Sequence, residues 1–300
     1  MKKITYIIII IFVLFLISYF TASLLETNKI IKQEKIIVIP IKGIISMEQQ
    51  DLFGSKQAHP DRIIEEIQKA ANDKSVQGII FEINSPGGTV VASQEIAEAI
   101  EELNKTNYAV IREIGTSGGY WIASATDKIY ASEMSITGSI GVLSSYLQFA
   151  DLFEKYGITY ERIVGGEHKD LGNPYKELNE EEKQILQKKV NQVHNYFIEE
   201  VAKNRKIEVT EIRKIATGEF YLGKEAKELN LIDAFGNKEE AIKEMKKELG
   251  KESIMVIEKE EKEGILSIFS KISAFYFGKG FASVLSNEKF LEQETTIQVR

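Results

Sequence analysis

The sequence predicts an α/β domain built on buried, mostly parallel strands. Two observations predict it: strand-like apolar runs alternate with segments of helical periodicity from residue 35 onward, and Gly-rich turns close the carboxyl ends of those runs. With 300 residues, 43% of them hydrophobic and 28% charged, the chain has the content for one large domain or two small ones. It contains no internal repeat and no low-complexity tract.

The elements follow in order. "KIIVIPIKGII" (Lys35 to Ile45) reads as a first strand that ends near Gly43. "RIIEEIQKAAND" (Arg62 to Asp73) spaces its apolar residues for a helix, and "VQGIIFEINSPGG" (Val76 to Gly88) returns to a strand stopped by Pro86. "VVASQEIAEAIEELNK" (Val90 to Lys105) is helical, "YAVIREI" (Tyr108 to Ile114) is a strand, "YWIASATD" (Tyr120 to Asp127) is a short apolar helix, and "KIYASE" (Lys128 to Glu133) is a further strand. From Asn179 to Arg205 runs one long amphipathic helix, whose Glu180 to Glu182 suit a helix N-terminus better than an acid/base couple. Residues 210–233 give two short helices around a turn, and 239–250 one more. Ligands of such sheets sit beyond the carboxyl ends of the strands. The turns at Pro86-Gly87-Gly88 and Ser117-Gly118-Gly119 both follow strands and are therefore expected to face one cleft.

The first 25 residues suit a different solvent. Ile4 to Leu25 carries no charge, and as a helix it spans about 33 Å, enough to cross hydrocarbon. Lys2 and Lys3 precede it, so the positive-inside rule puts the N-terminus in the cytoplasm and the rest of the chain outside. The run is longer than a signal-peptide core, and Ala22 and Ser23 make a weak cleavage site, which favours a retained anchor. Residues 26–34 form a polar spacer. Near the other end, in the tail Gly264 to Arg300, the stretch Gly264 to Leu285 is apolar but broken by Gly278 and Gly280. It is expected to rest on the membrane surface through Ile268, Phe269, Phe275 and Phe277, to lie across a cleft as an internal peptide, or to pack in an oligomer.

Composition excludes several chemistries. The chain has no cysteine, hence no disulfide, no CxxC zinc site and no thiol nucleophile. No HExxH, Walker or zinc spacing occurs, so neither metal nor cofactor is expected. A net charge of −7, with lysines interleaved among glutamates, disfavours nucleic acid as a partner.

A candidate nucleophile remains. Gly115-Thr116-Ser117-Gly118-Gly119 satisfies G-x-S-x-G, a sharp strand-to-helix turn that exposes a serine oxygen beside backbone N–H donors. Small residues at a tight turn also occur for packing alone. A serine needs a base, and only three histidines exist. His59 precedes Pro60 in a polar loop, His168 abuts Lys169, and His194 lies on the long helix in register with Val190, Phe197 and Val201, where burial is the simpler reading. Lys169 sits in the Gly-rich loop "VGGEHKDLGNP" and is placed by loop chemistry, although a lysine taken by itself is a solvated charge.

With "SPGG" (Ser85 to Gly88), "TSGGYWIASATD" (Thr116 to Asp127), "ITGSIGV" (Ile136 to Val142) and "GEHKDLGNPY" (Gly166 to Tyr175) in this order, the sequence resembles signal peptide peptidase A, a family of membrane-anchored serine proteases. The resemblance spans roughly residues 36–250. It implies a fold similar to the Clp protease and crotonase superfamily, with repeated ββα units, and a Ser/Lys dyad with Ser117 as nucleophile and Lys169 as general base. It puts oxyanion donors on the backbone N–H groups of Gly88 and Gly118, and a lysine-holding hydroxyl on Ser139. It further implies a homo-oligomer whose sites combine the serine of one subunit with the lysine of its neighbour, acting on signal-peptide remnants or other extended apolar peptides. The chain then divides into an anchor (1–25), a linker (26–34), a peptidase domain (35–250) and a tail (251–300). Two departures touch the substrate pocket: the segment before Ser117 is a few residues shorter than in many members, and Gly115-Thr116 replaces an Ala-rich lead-in.

The residue types suit this chemistry. A lysine accepts a proton near neutral pH only as the free amine, which requires it to leave water, and a neutral hydroxyl holds that amine without adding a counter-charge. Glycines let a carbonyl approach two N–H groups, each worth about 3 kcal/mol to an oxyanion elsewhere. Two other readings stay open at this point: an α/β-hydrolase esterase with His194 as base, and a non-catalytic peptide-binding scaffold.

Overall fold

The computed structural model describes residues 11–20, 33–48 and 57–259. Residues 11–20 form a helix (α1) with every residue exposed. Among the described residues no helix is long and apolar enough to cross a membrane; most of the expected anchor, and the tail beyond 259, lie outside them.

The core is a mixed α/β assembly around a central sheet. Its strands are β1 (Lys35–Lys42), β4 (Val76–Ser85), β5 (Thr106–Thr116), β6 (Lys128–Ala131), β9 (Ala234–Phe235) and β10 (Met255–Glu258), in spatial order β10-β1-β4-β5-β6-β9 with every pairing parallel. The expected first strand breaks at Gly43, and β2 (Ile44–Ile45) turns off to pair with β3 (Gln57–Ala58). The carboxyl half of β5 is shared differently from its start: Tyr108 to Ile111 pair with β6, while Ile114 to Thr116 pair with β7 (Ile136–Gly138). β7 pairs antiparallel with β8 (Phe220–Leu222). The fold also runs past residue 250, since β10 pairs with β1 through Val38↔Glu258.

Strand periodicity explains the layers. Ile37, Ile39 and Ile41 of β1, with Ile79, Phe81 and Ile83 of β4, point into the larger cluster, packed under α2 (Pro60–Asn72), α3 (Val90–Glu101), α4 (Gly118–Ser124) and α6 (Glu180–Arg205). Ile36, Val38, Ile80 and Tyr108 point the other way, against Ala241 and Met245 of α9 (Lys238–Glu248). Both faces are covered, as a parallel sheet requires. Between β7 and α6 the chain leaves the sheet: residues 139–179 hold only one regular element, α5 (Ala150–Lys155), and expose Leu143, Leu147, Tyr156 and Ile163. After α6 come α7 (Val209–Ile215) and α8 (Gly223–Glu228). α6 begins with a capping box in which Asn179 Oδ1 accepts from the Glu182 N–H at 2.8 Å, so the acidic run is indeed a helix start. Its far end is fixed by the buried Arg205, whose guanidinium donates to both oxygens of Asp233 at 2.8 and 2.9 Å.

One buried carboxylate stands on the smaller face. Glu82, in mid-β4, is 6% exposed and meets Lys42 and Arg112 at 3.0 Å and Lys238 at 3.5 Å, linking β1, β4, β5 and α9. Burial opposes its ionised form, but the hydrogen bond from Lys42 and the charges of Lys42, Lys238 and Arg112 outweigh burial and hold it below the ordinary value of 4.5. A depressed carboxylate adds stability above its unfolded value and loses it as pH falls through the folded one. We therefore expect the thermal midpoint of wild type to drop as pH is lowered below 4.5, and Glu82→Gln to flatten that drop while costing about 2 kcal/mol at pH 7. Circular dichroism melts between pH 7 and 3 measure both.

Candidate active site

The carboxyl ends of β4, β5 and β7 converge, and the site is made there. β5 ends at Thr116 and α4 starts at Gly118, leaving Ser117 to turn the chain alone. It does so at φ 53° and ψ −124°, a left-handed conformation for a residue with a side chain, which costs about 1–3 kcal/mol and persists only where the surroundings dictate it. They do: the Ser117 N–H donates to the Gly138 carbonyl at 2.8 Å, and the Ser117 carbonyl accepts from the Trp121 N–H at 2.9 Å. One side of the residue is fixed to β7 and the other to the first turn of α4.

The second turn lies against this one. Ile45 of β2 donates to Gly87 at 2.9 Å and accepts from Thr89 at 2.9 Å, and Thr116 Oγ1 donates to the Pro86 carbonyl at 3.1 Å. A Cβ on Gly88 would lie 1.8 Å from the Ile45 carbonyl oxygen, so only glycine admits that strand. A Cβ on Gly118 would lie 2.2 Å from Ser93 Oγ and 3.4 Å from the Gly88 nitrogen. Neither the Gly88 nor the Gly118 N–H finds an acceptor among the described residues.

A cavity of about 640 Å³ opens over these turns and is lined by Gly88, Ser117, Gly118 and Ser139. Ser139 also has a positive φ of 51°, and its Oγ donates to the Gly218 carbonyl at 3.0 Å. The walls are apolar near the serine, through Val90, Trp121, Val190 and Phe197. Trp121, one helical turn after Ser117, stacks on Phe197 of α6 with centroids 4.8 Å apart, which fixes the α6 wall relative to the hydroxyl.

The expected base is elsewhere. Lys169 is exposed and does not line the cavity. Its loop is nonetheless held: Asp170 accepts from Arg162 at 2.8 and 3.0 Å and meets Lys176 at 3.2 Å, and the Arg162 hydrogen bond holds the Asp170 carboxyl well below the usual range. Of the histidines, His59 and His168 stand outside the cavity and His194 lines it. His194 Nε2 lies 3.2 Å from the Ile140 carbonyl oxygen, an acceptor only, so Nε2 carries the proton and is not free to take one.

The comparisons with known proteins agree with this geometry. Residues 99–252 match peptidase family S49. Over 229 residues the chain is 34% identical to "Putative signal peptide peptidase SppA" of Enterococcus faecium, covering 75% of this chain and 67% of that protein. It is 32% identical to "Putative protease MJ0651" of Methanocaldococcus jannaschii, over 95% of this chain and 96% of that one. The chain belongs to peptidase family S49. It is thus a serine endopeptidase of the signal peptide peptidase A family. A further relative, "Protease 4" of Haemophilus influenzae, is 33% identical over 69% of this chain but only 34% of its own length.

What motif reading missed is the wall from α6. Gln187, Val190, Asn191, His194 and Phe197 all line the cavity. Their i, i+3, i+4, i+7 spacing marks one helix face, but the sequence does not say whether such a face meets core or cleft. For Gly88→Ala the added Cβ runs into the Ile45 backbone; it is expected to cost about 2–3 kcal/mol in urea unfolding, with no comparable loss for alanine at Gly165, whose Cβ position is open and whose φ is not positive.

Proposed function

We propose that this endopeptidase works through a Ser117/Lys169 dyad completed between two copies of the chain. The observation that carries the reading is a division of parts. The hydroxyl, Ser139 and the two glycine N–H groups that find no acceptor among the described residues share one cavity, while Lys169 stands exposed on a held loop of the 139–179 segment. Exposed Leu143, Leu147, Tyr156 and Ile163 on that segment suit burial against a second copy. Docking there takes the amine out of water, which favours the neutral form able to accept a proton, with Ser139 Oγ to hold it.

The chemistry then follows. Lys169 takes the Ser117 hydroxyl proton as Oγ attacks the peptide carbonyl, and the N–H groups of Gly88 and Gly118 stabilise the oxyanion. The ammonium returns the proton to the leaving amine, giving an acyl-serine, and the regenerated amine activates water for deacylation. Apolar walls select extended, apolar-rich peptides, consistent with the name of the Enterococcus faecium relative. The parallel sheet with helices on both faces supports a Clp protease and crotonase-like fold built of ββα units. The uncharged run Ile4 to Leu25 behind Lys2 and Lys3 supports a single-pass anchor with the peptidase domain outside the cytoplasm, where signal-peptide remnants are presented.

Complementation tests the shared site. Ser117→Ala and Lys169→Ala homo-oligomers are each expected to lose at least about 1,000-fold in kcat/KM on an apolar peptide. Co-assembled in equal amounts, they should recover about a quarter of wild-type activity, because one junction in four pairs an intact serine with an intact lysine. An active Lys169→Ala enzyme, or a mixture as dead as its parents, rejects the proposal.

A further inference from the structure

We infer that His194 is a positioning residue for the substrate: its imidazole holds the point at which the chain leaves the sheet to form one wall of the cavity. The inference rests on the cavity at Ser117 being the peptidase site.

Ile140 is fully buried, and its carbonyl oxygen accepts twice, from the Gly218 N–H at 3.1 Å and from His194 Nε2 at 3.2 Å. The first bond continues the β7–β8 ladder beyond Gly138↔Phe220, together with the Ser139 N–H to the Glu219 carbonyl at 2.9 Å. The second comes from across the cavity, out of α6. Immediately afterwards regular structure stops: Gly141, Val142 and Leu143 line the cavity without belonging to any strand, and Leu143 is 82% exposed. Ile140 is therefore the last anchored residue before a free-running wall, and among the described residues the histidine makes its only hydrogen bond to α6.

A side-chain donor at this place serves packing poorly. The Ile140 carbonyl is already satisfied by Gly218, so removing the imidazole orphans no buried acceptor, and the fold loses little. What it loses is the orientation of residues 141–143 toward Ser117. An extended peptide lying along that wall meets it preorganised when His194 is in place and must order it when the histidine is gone. The cost then falls on binding, ahead of the chemical step. Because Nε2 is the donor, a glutamine, whose amide nitrogen reaches about as far, can replace it, whereas asparagine reaches only to the Nδ1 position.

Steady-state kinetics of the full-length assembled enzyme on an extended apolar hexapeptide, with His194→Ala, His194→Gln, His194→Asn and Ser117→Ala, test this. His194→Ala is expected to raise KM about fivefold to tenfold with kcat within about twofold, His194→Asn to behave like alanine, and His194→Gln to return KM to within about twofold of wild type. Should the alanine variant not fold, the glutamine and asparagine pair decides alone. An unchanged KM in alanine and asparagine, or a glutamine variant no better than asparagine, overturns the inference. Loss of kcat in all three would make the histidine a catalytic base and overturn it too. Activity surviving in Ser117→Ala would instead remove the cavity as the site, and the inference with it.

Discussion

The backbone of Ser117 is the constraint on which the site depends. A serine at φ 53° is held there by one hydrogen bond to β7 and one to α4. Because β5 must give its last residues to β7, the sheet parts at its carboxyl end and opens the cleft. Because the chain reverses at Ser117, α4 starts beneath it and presents Trp121 to α6. The Ile45 carbonyl forces glycine at position 88, and the Ser93 hydroxyl forces it at 118. The local strain at Ser117 is offset by the buried central strands beneath it.

Ionic and apolar forces are segregated in this molecule. Buried Glu82 and half-buried Asp233 bind cations that join elements distant in sequence. The loop of Lys169 has its own ion cluster through Arg162, Asp170 and Lys176, independent of the sheet. The 139–179 segment that carries it exposes apolar side chains. In the proposed assembly the subunit is a complete fold and an incomplete enzyme.

The large elements were legible because they carry long patterns. β1 and β4 carry near-continuous apolar runs of a strand buried on both faces, and α6 shows helical spacing and an Asn179 cap. The pairs β2–β3 and β7–β8, and strand β9, were not legible: two or three residues cannot establish a period, and their pairing comes from the sheet edge each one meets. The boundary at 250 was too early because the hydrophilic Lys251 and Glu252 precede β10, whose place beside β1 is a tertiary choice. At the site, the Ser117 turn was readable as a G-x-S-x-G pattern, whereas Gly88, Gly118 and Ser139 were named through the family resemblance; all four line the cavity. His194 was placed on the correct helix and assigned to burial; its face turned out to line the cavity while its proton serves a carbonyl. Lys169 could be named by resemblance alone, since a lysine in a loop carries no pattern that separates it from a solvated charge.

The most direct measurement is an experimental structure of the assembled protein bearing a covalent adduct on Ser117. The account predicts the Lys169 amine of an adjacent copy within about 3 Å of the Ser117 oxygen, shielded from water and near Ser139. An assembly in which no copy brings that amine to the serine, with another group occupying the place of the base, contradicts it.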